Sequence, residues 1–337
     1  MHVLWLTNMW PDDERRWYGS FVHSQAQSLE RIGVDLDVLY VPGYRASREY
    51  ARGAAEVLRR ARRCRYDLVH AHYGHSGVLA RLQSSAPVLL SYCGDDLLGT
   101  PTPDGLGFTR GSVVLARGFA QLSRVLSATI TKSEEMERRL PVGSRERNSV
   151  IPNGVDLASF EPMPKDLARG KLGWSAGAKN LLFVGNPAYS RKNVKLAEAA
   201  CEELRRRGAR VELRVAWQVD PDAMKLWFAA SDVLLFPSLS EGSPNTVKEA
   251  MAMELPVVSA PVGDVPERLK GVEGTYVAER DAVAMADKVE LALEHDRAPA
   301  ARTAVAELSI EKVAQRIVDL YRSLSGSPVA SDTAVIA

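Results

Sequence analysis

Two glutamates, Glu241 and Glu249, flank seven residues at a strand–loop–helix junction in SLSEGSPNTVKEAMAMELPVVS (238–259). The apolar run DVLLFP (232–237) reads as a strand that empties into a polar loop carrying Gly242. Ser243 suits the helix N-cap and Pro244 the first helical position, with Asn245 and Thr246 following. Free backbone N–H groups of 242–246 and the positive end of the helix dipole then form a seat for an anion such as phosphate. Glu241 lies just before the helix, and Glu249 lies inside it on the face of Asn245. Spacing alone leaves an ordinary helix start with a surface glutamate slightly ahead.

Other residues could serve the same anion. Arg191 and Lys192 follow the strand KNLLFVG (179–185), which closes on Gly185. Arginine offers a planar fork and lysine a point charge, and both suit a diphosphate. Adjacent basic residues in a loop are more often simply solvated. Trp17-Tyr18-Gly19-Ser20 precedes the first helix, where a glycine permits close backbone approach. A plain strand-to-helix turn reads equally well there.

DLVHAHYGHSG (67–77) puts His70 and His72 on one face of a strand and His75 in the loop after it. No carboxylate or cysteine at suitable spacing completes a metal site, so the metal reading is rejected. SYCGDDLLG (91–99) carries Cys93, Gly94 and Asp96. Asp35-Leu36-Asp37 lies inside a strand pattern and reads as structural.

The elements that must position these groups alternate along the chain. HVLWLT (2–7), VDLDVLY (34–40), DLVHAH (67–72), VLLSY (88–92), LSATIT (126–131) and SVIPNG (149–154) read as strands, with helices at 21–33 and 47–63. After 160–174, rich in Pro and Gly, the rhythm restarts with 179–185, VELRVAW (211–217), DVLLFP, PVVSAP (256–261) and GTYV (274–277), plus a helix at 195–208. Strands separated by helices imply an α/β protein with two doubly wound parallel-sheet halves. The predicted division is 1–160, 161–325 and a flexible tail, 326–337, with a last helix from about Ser309 to Leu324. Ligands in such folds sit at the carboxyl ends of the strands.

Bulk composition agrees. A chain of 337 residues with 46% hydrophobic and 25% charged residues suits two soluble domains. A net charge of +1 gives no general pull toward nucleic acid. Cys64, Cys93 and Cys201 show no disulfide or metal spacing, which fits a reducing cytoplasm. No stretch reaches the roughly 18 apolar residues of a membrane span. The segment 45–66 carries eight arginines against Glu49 and Glu56. It reads with even odds as a solvated helix face or as a contact for anionic membrane at the inner face.

The segment EGSPNTVKEAMA followed by LPVVS resembles the paired-glutamate motif of the retaining glycosyltransferases of family 4, which have the GT-B fold. VIPNGVDLASFEP (150–162) is similar to that family's interdomain signature, and NLLFVGNPAYSRKN (180–193) to its basic diphosphate clamp. SATITKSEEMERRL (127–140) and GDVPE (263–267) agree in order, so the resemblance covers about residues 2 to 322. It implies two Rossmann-like domains facing a central cleft, with the last helix packing back on the first half. It assigns Glu241 to the transferred sugar, Glu249 to the nucleotide ribose, and the 242–246 backbone with Lys192 and Arg191 to the diphosphate. Gly19 and Gly185 fall to the donor side, His72 to the donor sugar or acceptor, and Tyr18 and Asp96 to the acceptor side.

Three positions depart from the family pattern: Cys93 stands where it has histidine, Asn186 where it often has arginine, and Glu254 where a glycine often precedes LPVV. The resemblance implies a metal-independent enzyme with no cofactor, taking a nucleotide diphosphate sugar, UDP before GDP or ADP. The acceptor would be a saccharide or a lipid-linked hydroxyl of the cell envelope. A nucleotide-sugar epimerase and a non-catalytic sugar-nucleotide binder share such a pocket. A nicotinamide oxidoreductase would call for GxGxxG after a strand, and neither half has one.

Overall fold

The computed structural model describes residues 1–326 except 103, 105, 106 and 176. Beyond Gly326, the predicted tail lies outside the described residues.

Apolar runs build both sheets. In the first half, β1 (His2–Thr7), β2 (Asp35–Tyr40), β3 (Leu68–His72), β4 (Val88–Ser91), β5 (Ala128–Thr131) and β6 (Asn148–Val150) form one sheet in the order β2-β1-β3-β4-β5-β6. In the second, β7 (Lys179–Val184), β8 (Val211–Ala216), β9 (Val233–Phe236), β10 (Val257–Ser259) and β11 (Thr275–Val277) run β11-β10-β9-β7-β8. Every pairing within the two sheets is parallel. Strands covered by helices on both faces can be apolar throughout, as Val3, Leu4, Trp5 and Leu6 are, each fully buried.

Both sheets reverse strand order at the same place. The first does so between β1 and β3, the second between β7 and β9. Side connections diverge there and leave a crevice at the carboxyl ends of the strands. The two crevices face each other.

Several contacts hold the halves together. The last helix, Ile310–Ser325, packs on the helix Ser20–Arg31 of the first half. Its Tyr321 is fully buried, with the hydroxyl 2.5 Å from His70 Nδ1. Gly154 lies against Ile310, where an added Cβ would meet the backbone at 2.6 Å. Arg302 donates to the carbonyls of Leu157 and Phe160 and so fixes the crossover.

The sequence reading treats 160–174 as irregular, yet Lys165–Leu172 is a helix. Asp232, almost fully buried, anchors it by accepting from Arg169 at 2.6 Å and Lys165 at 2.9 Å. Such a network repays the burial of the carboxylate, which would otherwise be costly. His75 likewise lies within a helix, Gly74–Ala80, and not in a loop.

Candidate functional site

The facing crevices enclose a cavity of about 470 Å³. That size suits a ligand larger than a single sugar. Gly185, Arg191, Lys192, Glu241, Gly242, Ser243, Pro244, Asn245, Thr246 and Glu249 all line it. Ten residues singled out from the sequence thus meet in one space.

Gly185 ends β7 with φ 142°, and an added Cβ would lie 3.1 Å from the Lys192 stem. The missing side chain lets Lys192 fold back across the strand end. Its Nζ donates to Glu241 Oε1 at 2.8 Å, while Arg191 Nη1 stands 3.3 Å from Glu241 Oε2. Burial alone would raise the Glu241 carboxyl, but the two cations outweigh it and hold it below the usual range.

The helix after the loop is Asn245–Ala252. It starts one residue later than the sequence suggests: Pro244 is the N-cap, and Ser243 does not cap it. The Ser243 hydroxyl instead donates to Asp264 Oδ2 at 2.9 Å and accepts from Lys248 Nζ at 3.1 Å. With no side-chain cap, the first amides of this helix remain available to an anion. Lys248 also donates to the Asn153 carbonyl at 2.8 Å, so the loop inherited from the first half is tied to the anion seat. Behind the loop, Gly263 passes so close that an added Cβ would lie 2.3 Å from the Gly242 carbonyl oxygen.

Glu249 stands one helical turn deeper, partly open to the cavity. Burial raises its carboxyl to about 7, only partly offset by Lys248 and Lys192. A carboxyl so placed is starved of donors, and hydroxyl groups of a ligand would supply them.

Four sequence candidates do not line the cavity. His72 is 1% exposed, its ring tilted against Trp5 with centres 4.2 Å apart, with Nε2 lacking a protein partner; burial drives its pKa well down, so the ring is neutral. Asp96 is buried and accepts from the N–H groups of Gly74, Cys93 and Gly94. It therefore shapes the turns that carry Tyr73 and Cys93 to the cavity wall. Gly19, at φ 71°, lets the chain pass the backbone of Met9, since an added Cβ would lie 2.5 Å from it. Its neighbours Ser20 and Phe21 reach the cavity instead. Tyr18 packs under Arg15, 4.4 Å from its ring centre.

The structure adds residues that the sequence reading passed over. Asp95, Tyr73, Trp217, Gln218 and Asn153 line the cavity. Tyr73 takes φ 77° and ψ 146°, a conformation that costs a non-glycine residue about 1–3 kcal/mol and tends to mark functional positions. No local sequence signal announces it. Asp95 could have been noticed as the first carboxylate of GDD, beside Asp96. Trp17 from the first half and Trp217 from the second meet with ring centres 5.0 Å apart, beside an Arg16–Asp220 ion pair at 2.8 Å. Among the described residues no group of three or more His, Cys, Asp or Glu is arranged to hold a metal, and no helix is long and apolar enough to cross a membrane.

Residues 2–159 match the family described as Glycosyltransferase Family 4, and residues 180–295 that described as Glycosyl transferases group 1. The chain is 24% identical over 352 residues to the putative teichuronic acid biosynthesis glycosyltransferase TuaC of Bacillus subtilis, covering 86% of this chain and 88% of that one. It is 29% identical to D-inositol 3-phosphate glycosyltransferase 2 of Catenulispora acidiphila, over 64% of this chain and 60% of that one. Among solved structures, sucrose-phosphate synthase from Thermosynechococcus elongatus superposes with a TM-score of 0.77 at 17% identity, covering 97% of this chain and 100% of that one. The Anabaena protein HepE, in complex with UDP, superposes at 0.67 and 17% identity, covering 96% and 100%.

Proposed function

Because the chain belongs to the glycosyltransferases of family 4, group 1, we propose that its cleft takes a nucleotide diphosphate sugar and transfers the sugar with retention of anomeric configuration. The observation that carries this reading is the joint placement of Lys192, Arg191 and an uncapped helix start around one space, with Glu241 and Glu249 at either side.

In this reading the diphosphate lies against the first amides of Asn245–Ala252, with Lys192 and Arg191 on its other flank. As the bond from the anomeric carbon to the diphosphate oxygen breaks, negative charge grows on that oxygen. Preplaced cations and amides stabilise it without reorganising, which lowers the barrier. The acceptor hydroxyl attacks from the same face, and its proton passes to the departing phosphate. Glu241 holds the transferred sugar through hydroxyl donors, and Glu249 holds the ribose. His72, neutral and lying beneath the cavity, supports the wall on the acceptor side. No metal is needed for this charge balance.

UDP is the favoured carrier, with GDP next; HepE, similar in fold, was solved with UDP-glucose. TuaC's printed role in teichuronic acid biosynthesis makes a cell-envelope saccharide or a lipid-linked saccharide the acceptor class we favour. The helix Arg48–Arg63 would meet an anionic membrane from the cytoplasmic side. Glu49 and Glu56 pair with Arg48, Arg52, Arg59 and Arg60, leaving Arg62 and Arg63 exposed for that contact.

The test is calorimetric titration with UDP, GDP, ADP and NADH, with and without EDTA. Binding of one nucleoside diphosphate, indifferent to EDTA and lost in Glu249→Ala, is expected. Binding of NADH alone, or a strict metal requirement, would overturn the reading.

A further inference from the structure

The proposed diphosphate clamp is electrically occupied before any ligand arrives. Its two cations, Arg191 and Lys192, face two carboxylates. Glu241 belongs to the same half as the clamp. Asp95 comes from the opposite half, at the start of the short helix Asp95–Leu98 that follows β4.

Arg191 Nη1 stands 3.3 Å from Asp95 Oδ1 and 3.3 Å from Glu241 Oε2, so one edge of the guanidinium is shared across the cleft. Both side chains of the cross-cleft pair are about one-third exposed or less, at 26% and 34%. A second ion pair spanning the cleft, Arg16–Asp220, is 65% and 44% exposed, where screening leaves it little weight. Asp95 also lines the cavity, so a ligand there displaces or meets its carboxylate directly.

Among the described residues, Asp95 has no basic ion-pair partner from its own half. The opening helical turn is held by Asp96, whose carboxylate takes three backbone N–H groups, and Asp95 takes none of these. Its placement is therefore explained by Arg191 and not by the local fold.

We propose that Asp95 is a stand-in for the substrate's diphosphate: it neutralises Arg191 across the empty cleft, yields it to the donor, and reclaims it as the nucleoside diphosphate leaves. The inference rests on the reading of Arg191 as part of the diphosphate clamp. Anion and carboxylate compete for one guanidinium, so each weakens the other's hold by the same factor. Asp95 thus sets how tightly the product stays bound, and with it the rate of release, a step that limits many transferases.

The competition gives an unusual expectation: removing a charged residue from the cleft wall should tighten ligand binding. Inorganic pyrophosphate serves as a probe that is blind to the nucleotide base, and UDP, GDP and ADP extend it. Asp95→Asn should bind pyrophosphate and the matching nucleoside diphosphate three- to tenfold more tightly than wild type. In turnover it should lower KM and kcat together. Asp95→Glu, which keeps the charge, should restore wild-type binding. Adding Arg191→Ala to Asp95→Asn should cancel the gain, because the two act through one contact. Thermal unfolding of each variant separates these effects from loss of fold.

Unchanged or weaker binding in Asp95→Asn, with wild type binding normally and Arg191→Ala impaired, would overturn this inference and leave the clamp standing. Failure of wild type and variant alike to bind pyrophosphate or any of the nucleotides would overturn the clamp itself, and the inference with it.

Discussion

The two halves of the cleft treat buried charge in opposite ways. On the side of the second sheet, every cation near the cavity has a partner. Lys192 and Arg191 share Glu241, and Lys248 donates to Asn153 and Ser243. On the side of the first sheet, Lys132 is 1% exposed and its Nζ has no hydrogen-bond partner, and His72 Nε2 has none either. Burial lowers the Lys132 pKa, with Cys93 and Asp96 only partly offsetting it. On the proposed reading, one half is prepared for an anion whose position is fixed in advance. The other buries polar groups that no protein side chain pairs.

The largest effect expected from breaking this contrast is on chemistry. Lys192→Ala removes the cation that pairs with Glu241 and that, on the proposed reading, also meets the growing charge on the diphosphate. Transfer should fall about 10²- to 10³-fold in kcat, the usual cost of losing one preplaced donor. A loss below tenfold in a steady-state assay would mean that the prepared half is not where the leaving group sits.

Next comes Glu249→Gln, which should weaken nucleoside diphosphate binding roughly tenfold, about the worth of one hydrogen bond to a charged acceptor. The same variant carries a pH signature. A folded carboxyl raised to about 7 contributes stability that is complete below the unfolded value and is lost as pH climbs through 7. Thermal midpoints of wild type should therefore fall between pH 5 and 8 by more than those of Glu249→Gln. Equal slopes would place this carboxyl in a more solvated setting.

Lys132→Met tests the unpaired half. Deleting an unpartnered buried ammonium should raise the thermal midpoint by about 2–4 °C, the shift that ~1 kcal/mol produces in domains of this class. The sign with pH is distinct. The wild-type penalty is complete below the lowered folded pKa and fades as pH rises toward about 10.4, so the gap between variant and wild type should narrow there. A destabilised variant would show that Lys132 has a partner in solution.

The smallest effect expected is at Glu254, which adopts φ 57° at the end of Asn245–Ala252. Glu254→Gly should stabilise the fold by up to about 1 kcal/mol by relieving the left-handed conformation. Chemical denaturation would read it. The departure noticed in the sequence thus has a physical cost, set by the turn into LPVVS.

Much of the architecture was open to reading from the sequence because its causes are local. Short apolar runs such as HVLWLT and DVLLFP, six residues each, read as strands buried on both faces, and their alternation with helices points to a parallel sheet. Glu241, Glu249, Arg191 and Lys192 were singled out by the resemblance of their segments to family 4 motifs, where spacing alone left them ordinary, and the fold brings all four to one cavity. What the sequence could not decide is where side chains from distant segments meet. Asp96 beside Asp95 looks equivalent on paper. Only packing turns the first inward to backbone amides and leaves the second to reach Arg191, 96 residues away in the chain. Likewise, the burial of His72 against the Trp5 and His70 rings is set by packing between strands of the sheet. The strain at Tyr73 exists because β3 must turn there into Gly74–Ala80. Pattern along the chain determined the sheets and their alternation with helices. Burial and cross-cleft charge, which depend on segments far apart in the chain, were settled by the tertiary structure alone.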